Sequence, residues 1–549
     1  MTTLPNARPG RRRRAAGITA LAVAGALVLA ACGGGSGDDG EKADGSELTK
    51  AEIFTKGWVG EPNSDAEPTA GGVLTFAEYA EARSLDTTKT YANGAVGGNA
   101  LAAIYDTLMR YDVDSKTWEP QLAESLSSND DKTVWTLTLR KGVKFSDGTP
   151  LNADAVMGSV GYYTANYGYQ GLTLITNGMQ MKKVDDSTVE FTVARPWATF
   201  PAMLSGGPGM IMAPAAYKNP DKFQPIGAGA FELDKYEPGV EMTMTAREDY
   251  YGGKPNLDGL RFVYLSPDSA KLESLDAGDI DAAYIRTDEN VEAARKDGVN
   301  GFLYTNGAGA MININMREGR PGADPRVRQA IAYAFDNESY LERAKAGAGV
   351  PSKAMFPESS PWATGVETPE LDREKATELL EEAKADGYDG KISFLSASDP
   401  ASQAAGVQVE AQLEAVGFDV TLDLAESITD VTTKVYVDHD FDLTQGASNV
   451  GDEDPYGAMY EWMFSQSPTN GGGYVSEEMD GLLGELQAVG DDPEAGAEVM
   501  AKIETLYHED VPAVIVSPAA VFIVMGEDTH GIQPSTQALQ LFDEAWVAK

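Results

Sequence analysis

The chain has 549 residues, 42% of them apolar, and a formal net charge of −42 at neutral pH. A surface this acidic repels phosphate backbones, which excludes nucleic acid as the expected partner. The length exceeds what one hydrophobic core usually organises, so more than one packed unit is expected.

At the N-terminus, Arg8 and Arg11 to Arg14 precede an uncharged apolar run, residues 15–31, that ends in Leu29-Ala30-Ala31-Cys32 and a glycine-rich stretch. The run is short for a permanent membrane span, and its flanks are those of a secretory signal. Small residues followed by a cysteine resemble the bacterial lipobox, in which the cysteine becomes the lipidated N-terminus. Cys32 is the only cysteine, so no intramolecular disulfide can form and an anchoring role is expected for it. The reading is a signal peptide over 1–31, lipidation at Cys32 and a flexible tether over 32–69, with a helical turn between Leu48 and Trp58. The arginine run fits twin-arginine export, but Ala15, Ala16 and Gly17 match it poorly, so the export route stays open. No later segment is long and apolar enough to span a bilayer, which places the mature chain outside the cell, held to the membrane by its lipid alone.

Order is expected from Gly71, where Val73, Leu74, Thr75 and Phe76 read as a strand. Trp135, Leu137 and Leu139 alternate with Thr136 and Thr138, the period-two signature of a half-buried strand. Ser146-Asp147-Gly148-Thr149-Pro150 supplies a turn, and Asn152 caps a helix beginning at Ala153. Val240, Met242 and Met244 alternate with Thr243 and Thr245 as a second strand. Asp324-Pro325 starts a helix whose buried stripe is Val327, Ala330, Ile331, Ala334 and Phe335. Ala376, Leu379, Leu380 and Ala383 repeat that spacing after Asp372, as do Val409, Leu413 and Val416 before a stop at Gly417. The class is α/β with mixed connections, and no repeat of fixed period is present.

Six segments follow one another in a particular order: Tyr105-Asp106-Thr107-Leu108, Arg140-Lys141-Gly142-Val143-Lys144-Phe145-Ser146-Asp147-Gly148, Pro225-Ile226-Gly227-Ala228-Gly229, Asp276-Ala277-Gly278-Asp279-Ile280-Asp281, Arg326-Val327-Arg328-Gln329-Ala330 and Asp454-Pro455. The series resembles the large peptide/nickel-type solute-binding proteins of ABC importers, family 5, from about Gly71 to near Val516. The resemblance implies a two-lobed periplasmic-binding-protein-like fold (type II, cluster C) with an extra domain inserted in the first lobe. Carried over, 70–107, 226–310 and 525–549 form the first lobe, 108–225 the insertion and 311–524 the second lobe. It further implies a monomer without cofactor that captures a peptide between its lobes by domain closure and delivers it to permease subunits.

In peptide-binding members, an acidic residue just before an Asp/Glu-Pro pair holds the peptide amino group. Gly451 stands at that position here, so Asp452 beside it is the expected ligand contact and Glu453 the second choice. Tyr79, Trp462 and Tyr474 are expected on the ligand walls, where rings with polar tips serve well. An oligosaccharide or a chelated metal is the alternative ligand, although three histidines and one cysteine supply few direct metal ligands. An enzyme is not expected, because His439, His508 and His530 are scattered and fall in no catalytic or zinc motif. A carboxylate-pair hydrolase is the distant alternative, since such a pair has no motif to betray it.

Overall fold

The computed structural model describes residues 48–60 and 66–548. The segment read as a signal peptide and Cys32 lie outside those residues.

Fifteen strands carry the architecture. They are β1 (Gly57–Val59), β2 (Val73–Ala77), β3 (Ala123–Ser128), β4 (Val134–Leu139), β5 (Gln180–Asp185), β6 (Thr188–Thr192), β7 (Phe231–Glu237), β8 (Glu241–Ala246), β9 (Gly259–Val263) and β10 (Ala282–Ile285). The last five are β11 (Gly301–Ile314), β12 (Lys391–Ala397), β13 (Asp419–Ala425), β14 (Leu443–Ala447) and β15 (Ala513–Met525). Eleven of them form one mixed sheet, ordered β13-β12-β14-β11-β15-β10-β2-β9-β8-β7, with β1 added against β11. The two long central strands, β11 and β15, run antiparallel through both halves of this sheet. Nearly all their residues are buried, as expected for strands covered on both faces.

Halfway along, the register of β11 against β15 shifts between Asn306 and Ala310. Ala308 there adopts φ 54°, a left-handed conformation that non-glycine residues avoid. Gly309 beside it has no room for a side chain, since a Cβ would lie 2.1 Å from the Ser517 carbonyl oxygen. The bulge bends the crossing strands and divides the sheet, with one hydrophobic core around Leu74, Phe76 and Phe262 and another around Ile314, Ile331 and Phe394. A separate four-stranded sheet, β3-β4-β6-β5, comes from the segment expected as an insertion. Its core residues Leu137, Phe191 and Trp197 belong to one cluster with Tyr456, Met459, Leu483 and Ile503 from the helices Pro455–Met463, Glu477–Val489 and Pro493–Asp510. That segment therefore shares its core with residues read as second lobe.

Local signals account for many elements. Asp324 accepts the Arg326 amide at 2.9 Å and caps helix Pro325–Ala334, whose stripe Val327, Ala330, Ile331 and Ala334 is buried. Alternation buries Trp135, Leu137 and Leu139 in β4. Val240 differs from its expected place: it is 54% exposed in the turn before β8, while Met242 and Met244 are buried. Within the tether expected over 32–69, the helical turn expected between Leu48 and Trp58 is present, and residues 50–59 are packed against the sheet rather than free. Lys50–Ile53 forms a helical turn closed by a Thr49/Glu52 capping box, and β1 pairs with β11. Ile53, Phe54 and Val59 are buried in a core with Leu303 and Phe522. Three apolar side chains with a ready sheet edge outweigh the entropy that polar neighbours would otherwise retain.

Candidate functional site

The crossing strands form the floor of a cleft made of two adjoining cavities, of about 510 and about 550 Å³. Ala95, Tyr284, Ala447, Asn449 and Val521 border both, so the cavities are halves of one trough astride the bulge. Each half has the size typical of a small-molecule site.

In the first cavity, Asn306, Met311 and Asn313 come from β11 and Ala458, Glu461 and Trp462 from helix Pro455–Met463. That helix starts where Asp454 accepts the Gly457 amide at 3.2 Å and the Thr199 hydroxyl at 2.6 Å. Burial holds the Asp454 carboxyl up at about 7. The glycine loop 471–473 is fixed from behind by Arg317, which donates to the Gly471 carbonyl at 2.6 Å and the Asn470 carbonyl at 3.3 Å. Asn470 donates to the Tyr474 carbonyl at 2.7 Å, and the Tyr474 hydroxyl donates to Asp510 at 2.7 Å. The wall is thus tied down before any ligand arrives. Glu461 is the only charged side chain lining this cavity among the described residues. Burial, with a smaller contribution from Asp454, raises its carboxyl to about 7, and Tyr91 donates to it at 3.4 Å.

The second cavity is more polar in charge. Arg286 lies over the Tyr79 ring at 4.7 Å, and Lys345 pairs with Asp288 at 2.9 Å. Buried Asp268 gathers this rim by accepting the Arg286 and Thr287 amides, both at 2.9 Å, and Lys271 at 3.1 Å. Neither cavity has a histidine or cysteine among its described lining residues. No three His, Cys, Asp or Glu residues converge as a metal site among the described residues. The arrangement offers aromatic walls, carboxamides and isolated charges, which suit holding a ligand.

The structure brings three of the expected residues to the cleft: Trp462 and Tyr474 to the first cavity and Tyr79 to the second. Asp452 and Glu453 line neither. Asp452 pairs with Lys56 at 3.2 Å and accepts the Ser360 hydroxyl at 2.6 Å. Glu453 lies 3.5 Å from Lys56 and accepts the Thr536 hydroxyl at 3.0 Å. In this structure the chain's own Lys56 ammonium faces both carboxylates. Glu461, Tyr91, Tyr169 and Arg286 were not expected.

Bacterial extracellular solute-binding proteins, family 5, match residues 117–470, well over half of the chain. The chain belongs to this family. The dipeptide-binding protein of Escherichia coli is 25% identical over 485 residues, which cover 80% of this chain and 88% of that protein. The oligopeptide-binding protein AppA from Bacillus subtilis, solved with a nonapeptide, superposes with a TM-score of 0.73 at 21% identity, covering 88% of this chain and all of that one. NikA from Brucella suis, solved with Fe(III)-EDTA, gives 0.71 at 22% identity, covering 87% of this chain and all of that one. The two-lobed α/β fold expected from the sequence is the fold of these binding proteins. Members of this family are extracellular solute-binding proteins, and the Escherichia coli relative is a dipeptide-binding protein.

Proposed function

We propose that this chain is a lipid-anchored extracytoplasmic receptor that captures a short peptide in the cleft, closes its lobes over it and presents it to the permease of an ABC importer. The observation that carries this reading is the trough astride the β11–β15 bulge, where one bend can bring both halves of the sheet onto an occupant. Asn306, Asn313 and Asn449 border it with carboxamides that can both donate to and accept from peptide backbone. Its rings offer apolar surface to side chains of varied shape. The dipeptide-binding relative from Escherichia coli supports a peptide as the ligand. In this reading Asp452 and Glu453 serve the hinge and leave the ligand to the cleft walls. Anchoring rests on the Leu29-Ala30-Ala31-Cys32 motif.

Small-angle scattering and thermal unfolding with a panel of di- to pentapeptides test the proposal. A bound peptide stabilises the native state by about 2.7 kcal/mol at a hundredfold excess over its Kd. Compaction must accompany that stabilisation. A rise in melting temperature at unchanged radius of gyration moves the site out of the cleft and defeats the reading.

A further inference from the structure

We infer that the first cavity selects for a cationic group on its ligand, an ammonium or guanidinium received by Glu461 among the rings of Tyr91, Tyr169, Tyr436 and Trp462. This deepens the peptide reading and rests on it only for the identity of the molecule that carries the charge.

The argument starts from what Glu461 lacks. Among the described residues it forms no ion pair with lysine, arginine or histidine. Its hydrogen-bonding neighbour on the carboxylate is the Tyr91 hydroxyl, at a long 3.4 Å. Glu461 is half-buried, and a carboxyl there with no cation beside it either keeps a proton toward neutrality, as buried Asp106 and Asp454 do, or takes a cation from outside the chain. Asp452 and Glu453, a few residues earlier, are paired instead, since Lys56 faces both. Glu461 instead opens onto a cavity large enough for a ligand.

The surroundings point to the same chemistry. Tyr91 and Tyr169 stack with centroids 5.4 Å apart, and both line the cavity with Tyr436 and Trp462. Aromatic faces attract cations, most strongly once water is excluded, and rings grouped with one carboxylate suit ammonium and guanidinium groups. A ligand carboxylate would meet Glu461 without any compensating positive side chain on this wall. The described groups that act electrostatically on Glu461 are Tyr91 and Asp454, while Tyr163 and Tyr436 feel its charge in turn. All are neutral or acidic, so none replaces the missing cation.

A charged ligand would also draw off the proton that burial holds on Glu461 near neutrality. Binding should therefore release a proton and tighten as pH rises through about 7.

Titration calorimetry on the full mature chain tests the inference, with wild type and Glu461→Gln each meeting trialanine, Lys-Ala-Ala, and their N-acetylated forms. Unchanged melting of Glu461→Gln verifies that the variant is folded. Loss of at least about tenfold in affinity for peptides bearing a positive charge, with N-acetyl-trialanine unaffected, is the expected result. If acetylated Lys-Ala-Ala retains the effect, the side chain supplies the cation; if only free termini do, the backbone amine supplies it. Proton release, read by repeating the titration in buffers of different ionisation enthalpy, should vanish in the variant. Equal weakening of charged and neutral peptides, or none, overturns the inference while leaving peptide capture intact. Should no peptide bind wild type, melting-temperature shifts with arginine, choline and putrescine decide: a Glu461-dependent shift keeps cation selection and ends the peptide reading. No such shift ends both.

Discussion

Lys56 extends its ammonium to within 3.2 Å of Asp452 and 3.5 Å of Glu453, joining a segment near the start of the described chain to the turn beside the β11 bulge. Val450, two residues before Asp452, exchanges backbone hydrogen bonds with Gly307 at 2.9 and 3.1 Å, inside the β11 bulge. The same N-terminal segment adds β1 to β11 and accepts the Thr305 hydroxyl at 2.6 Å through the Phe54 carbonyl. Residues 50–59 therefore brace the bend from outside the cleft.

Lys56→Met should leave two partly buried carboxylates facing each other and cost roughly 1–3 kcal/mol, since the site keeps some solvent. Burial pulls the Lys56 ammonium down, but Glu453 and Asp452 outweigh it and hold the group above its ordinary 10.5. The stabilisation is complete below that ordinary value and disappears as pH climbs through the raised one. Denaturant melts of wild type and Lys56→Met should differ near neutral pH and converge in strong alkali. A constant gap at all pH values would show that the methylene stem, not the charge, matters.

A second pH effect runs across the neutral range. Burial raises Glu78 to about 8 and Asp106 to about 7, with the Asp543 charge adding to the latter. Asn99 donates to Glu78 at 3.2 Å, and Tyr250 and Tyr251 donate to Asp106 at 2.9 and 2.8 Å. Both carboxyls keep a proton in the fold that the unfolded chain gives up near its ordinary 4.5 or 3.8. Their contribution is greatest below those values and is lost as pH rises through about 7 to 8. The melting temperature should fall between mildly acidic and mildly alkaline buffer, and Glu78→Gln should flatten that fall. An identical slope in the variant would assign the effect to other groups.

These findings separate what is local from what is not. The Asp324 cap, the stripe after it and the alternation of β4 were legible because each needs only neighbours within a turn or a strand. Lys56 meets Asp452 across 396 residues, and no short window carries that pairing. Its segment, set among glycine and acidic residues, read as tether because composition hides the three apolar side chains that dock. Trp462, Tyr474 and Tyr79 were found as rings near expected loops, whereas Glu461 resembles any solvated helix carboxylate until the cavity is seen. Asp452 drew attention through a family position that Gly451 vacates, and in the fold it meets Lys56 and the Ser360 hydroxyl.

Cys32 carries the anchoring proposal. A thioether needs sulfur, so Cys32→Ala should abolish labelling by a fatty-acid analogue and release the chain from the membrane fraction. Lost acyl chains remove about 0.8 kcal/mol of membrane affinity per buried methylene. Labelling that persists in the variant would place the lipid elsewhere or dismiss it.

The bulge itself offers a paired test, because neighbouring small residues there should respond to substitution in different ways. Ala308 sits at φ 54° and is 1% exposed, so Ala308→Gly relieves about 1–2 kcal/mol of backbone strain but removes a buried methyl worth about 0.8 kcal/mol and loosens the unfolded chain. These terms nearly cancel, and the melting temperature should stay close to wild type. Gly309→Ala has no such balance: its Cβ would meet the Ser517 carbonyl oxygen at 2.1 Å and the Ala519 amide nitrogen at 2.4 Å. Both contacts are backbone of β15, the partner crossing strand, so relief requires pushing the two strands apart at the bend. Such overpacking should cost about 1–3 kcal/mol. It should also alter the radius of gyration of the ligand-free chain, since the displaced strands join the two halves of the sheet. Ala308→Gly should leave scattering unchanged while Gly309→Ala shifts it, and equal behaviour of the two variants would remove the bulge from its place as the hinge.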